Sequence, residues 1–350
     1  MMTSRYRVGL TADGAAPDGT TIFGDIGLDR LVAAGMEWEV MPPVVGSVPP
    51  AEVIGRYDAV LSLGHLHFPR ELAVAAPRLR HISRFGAGHD GIDLGGLAEH
   101  GVVVTNTPLA VRRPLAVGAL TLLLALSHRL MENHRAATSG RWAERGRYRG
   151  AGLSGRTVGI VGLGGVGSDL AGLVAPLGVR VIATDRSGNH ERAAALGVEL
   201  VEGARLVAES DYVIVTAALT SFTYRMVDAD FLASMKSTAY LVNVARGGLV
   251  DQAALTVALQ EGRIAGAGLD VLDPEPPSDD DPLLTMDNVL VTPHALCWTA
   301  DFTRDVATSA IQAIIDVAEG RRPAHLLNPA AFSSGGPGCH RTKAVPRPPR

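Results

Sequence analysis

Three side chains that lie far apart in the chain have the types that reduction of a carbonyl needs: a guanidinium at Arg246, a carboxylate at Glu275 and an imidazole at His294. Each follows a strand candidate, residues 238–245, 264–271 and 289–293 respectively. Ligands of an open parallel sheet sit beyond the carboxyl ends of its strands, so the three are expected to face one crevice. A hydride arriving on a carbonyl carbon leaves negative charge on the oxygen, and a protonated imidazole at His294 neutralises that charge as it forms. Glu275 beside it favours the imidazolium by its opposite charge. Arg246 grips a carboxylate with two N–H bonds and so decides which face of the carbonyl is offered. Taken singly, each has a plainer role: one of 11 histidines, a glutamate beside the acidic run Asp279, Asp280 and Asp281, an arginine capping a helix. Their shared place at strand ends sets them apart.

A second pattern supplies the hydride donor. Residues 158–161 run straight into Gly162-Leu163-Gly164-Gly165-Val166-Gly167, and a helix of small residues is expected over 169–175. Strand, tight turn and helix in that order suit a dinucleotide. Gly162 permits the turn, Gly164 lets the backbone approach a pyrophosphate, and Gly167 lets the helix pack on the strand. The phosphates then meet the amides of Gly165 and Val166 at the positive end of the helix. The next apolar run, 179–184, ends in Asp185, which can accept from both ribose hydroxyls and repel a 2′-phosphate. That favours NAD, while Arg186 beside it could pair with a 2′-phosphate and keeps NADP open.

The elements that must position these groups alternate between short apolar strands and helical spacers, the signature of parallel βα units. Strands are expected over 5–11, 59–63, 79–83 and 101–105, with a helix over 28–34 and a glycine loop at 85–93. A helix over 115–129, opened by Arg112-Arg113-Pro114, is apolar around most of its circumference and should be buried between domains or against a second subunit. Residues 135–150 read as a solvated arm. A second series of strands follows: 158–162, 179–185, 198–201, 211–217, 238–245, 264–271 and 289–293. The closing helix, 298–319, carries Phe302, Val306, Ala310 and Ile314 at four-residue spacing, is ended by Gly320, and is expected to return to the first domain. The fold class is therefore α/β in two lobes. Residues 109–296 form a Rossmann-type doubly wound nucleotide-binding domain, and 1–108 with 297–332 form a smaller, discontinuous, flavodoxin-like substrate domain. Residues 333–350, rich in glycine, proline and basic side chains, are expected to be a disordered tail.

Composition bounds the partners. With 47% hydrophobic residues and a net charge of -4 over 350 residues, the chain reads as a soluble globular protein with no nucleic acid or membrane partner. The first residues hold no apolar stretch long enough for a signal peptide, and the run 115–126 is too short to span a bilayer. Two cysteines, Cys297 and Cys339, give neither a disulfide framework nor metal-ligand spacing. A cytoplasmic location and no metal are the expectation.

Four stretches carry a family resemblance: Gly162-Leu-Gly-Gly-Val-Gly167, residues 241–251 (LVNVARGGLVD), 268–276 (GLDVLDPEP) and 291–294 (VTPH). With them the chain resembles the D-isomer-specific 2-hydroxyacid dehydrogenases over roughly residues 5–330. The resemblance implies a catalytic trio of Arg246, Glu275 and His294. It extends the cofactor contacts to Thr216, Ala217, Thr223, Ala245 and Asp270. It also implies a substrate carboxylate held by backbone amides of Gly86-Ala87-Gly88, and a homodimer with the 115–129 helix in its interface. His65, just past a strand of the first domain, is expected to touch substrate. The implied activity is reduction of a small 2-oxo acid to a D-2-hydroxy acid, or the reverse, with NAD. Departures bear on substrate choice: Arg112, Arg113 and Val117 replace a threonine and glutamates common in the family, Gly91 replaces an asparagine, and Thr216 stands where a histidine is frequent. Formate dehydrogenases carry an amide where Glu275 stands, and phosphite dehydrogenases a lysine where Ala87 stands. Two other readings stay open: an NADH-sensing binding protein of corepressor type, and a dehydrogenase of an unusual acid such as a phosphonate, drawing on Arg112 and Arg113.

Overall fold

A computed structural model of the chain describes residues 5–16 and 20–333; of the expected tail only Ser333, closing the short helix Pro329–Ser333, lies within it. Twelve strands among the described residues form two sheets. The first holds β1 (Arg7–Leu10), β2 (Glu37–Val40), β3 (Ala59–Ser62), β4 (His81–Arg84) and β5 (Val103–Thr105), in the order β2-β1-β3-β4-β5. The second holds β6 (Thr157–Val161), β7 (Arg180–Thr184), β8 (Glu199–Leu200), β9 (Tyr212–Val215), β10 (Tyr240–Asn243), β11 (Gly266–Leu269) and β12 (Val289–Val291), in the order β12-β11-β10-β9-β6-β7-β8. Every pairing is parallel. These are the flavodoxin-like and Rossmann orders, each with helices between strands. The chain divides into a unit of Met1–Val111 with Ala300–Arg350 and a unit of Arg112–Thr299.

In the first unit the helix Ala300–Ala318 packs on β4 and β5, burying Phe302, Val306, Ala310 and Ile314. Ser83 Oγ on β4 donates to the Ala310 carbonyl at 3.0 Å, and Gly320, at φ 74°, ends the helix as its sequence suggests. The unanticipated strand is β2. Its Glu37-Trp38-Glu39-Val40 pattern alternates polar and apolar because it is an edge strand paired only with β1.

The 115–129 helix needs two corrections. It spans Pro108–Ser127, with Pro108 at its first position and Pro114 inside it. Pro108 suits an N-terminus because its fixed φ and missing N–H cost nothing there. The helix tolerates the interior proline because Ala116, Ala119, Leu122, Leu123 and Leu126 are locked in the core with Val158 and Ile160 of β6. At 20 residues it is long and apolar enough to cross a membrane by length and composition, contrary to the estimate from 115–126, but 44% of its apolar window is buried in the protein. In the single chain Leu109 and Val117 on this helix are 60% and 43% exposed. The supposed solvated arm is also ordered locally, with a helix Leu130–Thr138 and a 3-10 helix Trp142–Tyr148 tied together by Asn133 Nδ2 donating to the Tyr148 carbonyl at 2.9 Å.

Buried in the first unit, His81 shares a 2.9 Å hydrogen bond between Nε2 and Thr105 Oγ1, and its Nδ1 has no partner. Burial pushes its pKa down from 6.5 to about 3. The unfolded chain takes up this proton below about 6.5 and the folded chain resists until about 3, so the associated stability is complete above that window and is lost as pH falls through it. The slope is at most about 1.4 kcal/mol per pH unit. Urea unfolding between about pH 6.5 and 4 is expected to show His81→Leu less acid-sensitive than wild type, although weaker at neutral pH because Thr105 loses the shorter of its two side-chain hydrogen bonds and keeps only Ser83 Oγ at 3.5 Å. Equal slopes would contradict this.

Candidate active site

In the second unit one lateral row crosses six strands: Thr184, Val161, Val215, Asn243, Leu269 and Val291 pair in register from β7 to β12. The next residues along are Asp185, Gly162, Thr216, Val244, Asp270 and Thr292. The strands are parallel, so all the candidate groups of this unit leave the sheet on one edge.

The glycine turn is enforced by close approach. Gly162 has φ 98°, and a Cβ there would fall 2.8 Å from Ala217 Cα. A Cβ on Gly167 would collide with the Gly162 carbonyl oxygen, whereas one on Gly164 would meet nothing within 4 Å. Gly164 caps the helix Gly165–Val174, whose first amides, including those of Gly165, Val166 and Gly167, have no partner within the helix. Open space over Gly164 beside those amides fits the pyrophosphate of a dinucleotide. Thr216 contributes from beneath: its hydroxyl donates to the Gly162 carbonyl at 2.7 Å, fastening the turn. Thr223 is likewise committed, donating to the Ala218 carbonyl at 2.7 Å and accepting from Thr220 N at 2.8 Å. At the end of β7, Asp185 Oδ1 accepts from Ser187 N and Oγ, both at 2.8 Å, and Arg186 is exposed.

The expected trio follows three neighbouring strands. Asn243, buried at the end of β10, shapes the turn that carries Arg246: its Oδ1 accepts from Ala245 N at 3.1 Å and its Nδ2 donates to the Arg246 carbonyl at 2.8 Å. Arg246 Nη1 donates to the Ala245 carbonyl at 2.7 Å. A side chain at Gly247 would run into the Leu272 carbonyl, so this turn lies against the loop after β11. In that loop Glu275 Oε1 accepts from Leu272 N at 3.0 Å, and its Oε2 lies 2.8 Å from His294 Nδ1. Both side chains of this pair remain partly open, at 24% for His294 and 31% for Glu275. The carboxylate fixes the imidazole through Nδ1, the nitrogen it contacts.

His294 occupies a left-handed backbone, φ 55°, a costly position for a side chain other than glycine. Asp270 holds it there. The Asp270 carbonyl accepts from His294 N at 2.8 Å, and its Oδ1 accepts from Thr292 Oγ1 at 2.7 Å, Ala295 N at 3.1 Å and Leu296 N at 3.3 Å. Its Oδ2 is buried without a partner. Burial raises the Asp270 carboxyl above the usual carboxylate range, against the opposing pull of these bonds and of His294. A buried orphan acceptor suits an amide N–H of a ligand, such as the carboxamide of a nicotinamide. Nearby, burial pushes the Cys297 thiol up to about 12, which leaves it inert as a nucleophile.

In the first unit, the Gly86-Ala87-Gly88 loop follows β4. Gly86 departs from its expected role: its amide donates to Arg84 O and Thr107 Oγ1, both at 3.0 Å, so it closes the turn, with φ 138°. Ala87 O and Gly88 O accept from Asn106 Nδ2 and Arg84 Nε, at 2.8 and 3.1 Å, which leaves the Ala87 and Gly88 amides as donors for an anion. His65 is exposed just past β3, with its backbone N donating to Asp13 Oδ2 at 2.9 Å. Two groups escaped the sequence reading: Asn243, embedded in a quoted motif yet legible only as a turn clamp once its amide is seen, and the Arg112–Asp169 pair beside the glycine turn.

Comparison with known proteins finds relatives over most of the chain. Residues 120–295 match the sequence model of the D-isomer specific 2-hydroxyacid dehydrogenases, NAD binding domain. A glyoxylate reductase of Korarchaeum cryptofilum is 37% identical over 284 residues, 80% of this chain and 86% of that protein. A D-3-phosphoglycerate dehydrogenase of Archaeoglobus fulgidus is 35% identical over 84% of this chain, which spans only 54% of that longer protein. Among solved structures, an NADPH-dependent glyoxylate/hydroxypyruvate reductase of Sinorhizobium meliloti, in complex with NADP and malonate, superposes with a TM-score of 0.80 at 28% identity, covering 94% of this chain and 98% of that one.

Two glycine substitutions separate fold from ligand binding. Gly167→Ala should cost about 1–3 kcal/mol by overpacking, seen as a lower Tm. Gly164→Ala should leave Tm unchanged yet weaken NADH binding about tenfold or more, read by fluorescence titration, because its methyl group fills the space a phosphate needs. Unchanged affinity in Gly164→Ala would place the cofactor elsewhere.

Proposed function

We propose, because the chain belongs to the D-isomer specific 2-hydroxyacid dehydrogenases, that it reduces a small 2-oxo acid to the D-2-hydroxy acid by stereospecific hydride transfer, through Arg246, Glu275 and His294. The observation that carries the residue assignment is the 2.8 Å contact between Glu275 and His294, at strand ends next to the turn bearing Arg246. Reduced NAD, when bound, supplies a hydride to the carbonyl carbon. His294 delivers a proton from Nε2 to the carbonyl oxygen, so the new hydroxyl is neutral, the carboxylate keeps its charge and the imidazole is left neutral. Glu275 orients the ring from Nδ1. Arg246 takes the carboxylate of the substrate in two N–H bonds and sets the face presented to the hydride. In the first unit, considered by itself, the Ala87 and Gly88 amides and His65 are the candidates for contacts to a polar ligand.

For the cofactor, Gly162, Gly164, Gly165, Val166 and Gly167 receive the pyrophosphate, Asp185 the adenosine ribose, and Asp270 with Ala245 the nicotinamide end; Thr216, Ala217 and Thr223 shape the wall between them. Asp185 at the ribose favours NADH over NADPH. Because relatives named for glyoxylate and for 3-phosphoglycerate are both near, the short substrates glyoxylate and hydroxypyruvate are the ones to try first. The proposal includes a homodimer that covers the exposed Leu109 and Val117, and a cytoplasmic location, suited to a chain with only two cysteines.

A panel of 2-oxo acids with NADH, followed by chiral analysis of the product, tests the activity. Turnover with a D-configured product is expected; tight NADH binding without any turnover would instead indicate a sensor. His294→Ala should lose about 10²–10⁴-fold in kcat while binding NADH as wild type does. Arg246→Ala should lower kcat and raise KM together, about 10²-fold or more in kcat/KM. A fully active His294→Ala would remove the proton-donor role.

A further inference from the structure

Gly165 is a glycine for a reason the turn does not supply. Its φ is not in the left-handed region, so the backbone alone would accept a side chain. What a side chain there would have to displace is Arg112: a Cβ on Gly165 would come 2.9 Å from Arg112 Cδ and 3.0 Å from its Cγ and Nε. The arginine therefore lies across the opening of the Gly165–Val174 helix. Its Nη2 reaches Asp169 Oδ1, one helical turn further along, at 2.6 Å. Its Nε is shut off from solvent and has no acceptor, while the side chain as a whole is 37% exposed. A fastener between two helices would not need a guanidinium with a desolvated, unanswered N–H, since that group costs free energy wherever no acceptor meets it. An anion seated on the first amides of the helix would meet it.

We propose that Arg112 is a positioning residue for the cofactor pyrophosphate, resting on the dinucleotide reading above. Asp169 orients the guanidinium, the bare Gly165 makes room for it, and the cation adds a charge-assisted contact to the amides and dipole of the helix. The Arg112–Asp169 pair is thus part of the binding apparatus, and the glycine in the second variable place of the turn, Gly165, is matched to a distant arginine.

The test measures dissociation constants of the full chain for NADH, ADP-ribose and adenosine, with Tm recorded for every variant. Arg112→Gln is expected to weaken NADH and ADP-ribose about 10- to 100-fold, with adenosine, which lacks the pyrophosphate, unchanged within about twofold. The gap should narrow between about 50 and 500 mM salt as the charge is screened. At saturating NADH the kcat should stay within about threefold of wild type, so the loss appears in KM for NADH. Arg112→Lys should fall between, keeping charge without the planar fork. Gly165→Ala should reproduce the loss by displacing the arginine, and combining it with Arg112→Gln should add little. Unchanged NADH affinity in Arg112→Gln, with or without a lower Tm, or an equal loss for adenosine, would overturn the proposal. A wild-type chain that bound no NADH would sink the dinucleotide reading and this inference with it.

Discussion

The register of one parallel sheet is the constraint on which everything else depends. Because β7, β6, β9, β10, β11 and β12 end in a single lateral row, residues far apart in the chain are delivered to the same edge without any loop having to travel. Parallel strands buried on both faces must be apolar and β-branched, so polar chemistry is pushed beyond their ends. Asp185, Gly162, Thr216, Asp270 and Thr292 stand in the first positions past that row, and the catalytic groups proposed here follow within a few residues.

Position alone does not set orientation, and a second layer of contacts does that. Asn243 clamps the Arg246 turn, Gly247 lets that turn press on Leu272, and Leu272 N holds one oxygen of Glu275 while the other meets His294. Asp270 keeps His294 in a backbone conformation that few residues accept. A left-handed backbone at His294 and a desolvated carboxylate at Asp270 are both unfavourable in the fold itself, and their coincidence at one edge supports the site proposed there.

Much of this was legible in the chain. The strands of the second sheet announce themselves as short apolar runs, and the strand, glycine turn and acidic residue order is a strong local signal because Gly162 and Gly167 each answer a specific steric demand. Other features were hidden for physical reasons. β2 alternates as an exposed edge strand does, so its glutamates masked it. Pro114 looked like a helix start because proline usually is one, yet core packing of Ala116 to Leu126 carries the helix through it. The roles of Thr216, Thr223 and Gly86 depend on which carbonyl lies within reach of a hydroxyl or amide, and no spacing encodes that. The pairing of Gly165 with Arg112 is of the same kind.

The most direct test of the central claim, that a carboxylate after β11 and an imidazole after β12 act as one unit, is the activity of Glu275→Gln, which keeps the shape and removes the charge. The account expects kcat/KM for a 2-oxo acid to fall about 10²-fold or more while NADH affinity stays within about threefold. A Glu275→Gln enzyme as active as wild type would show that the imidazole works without its acid and would contradict the account.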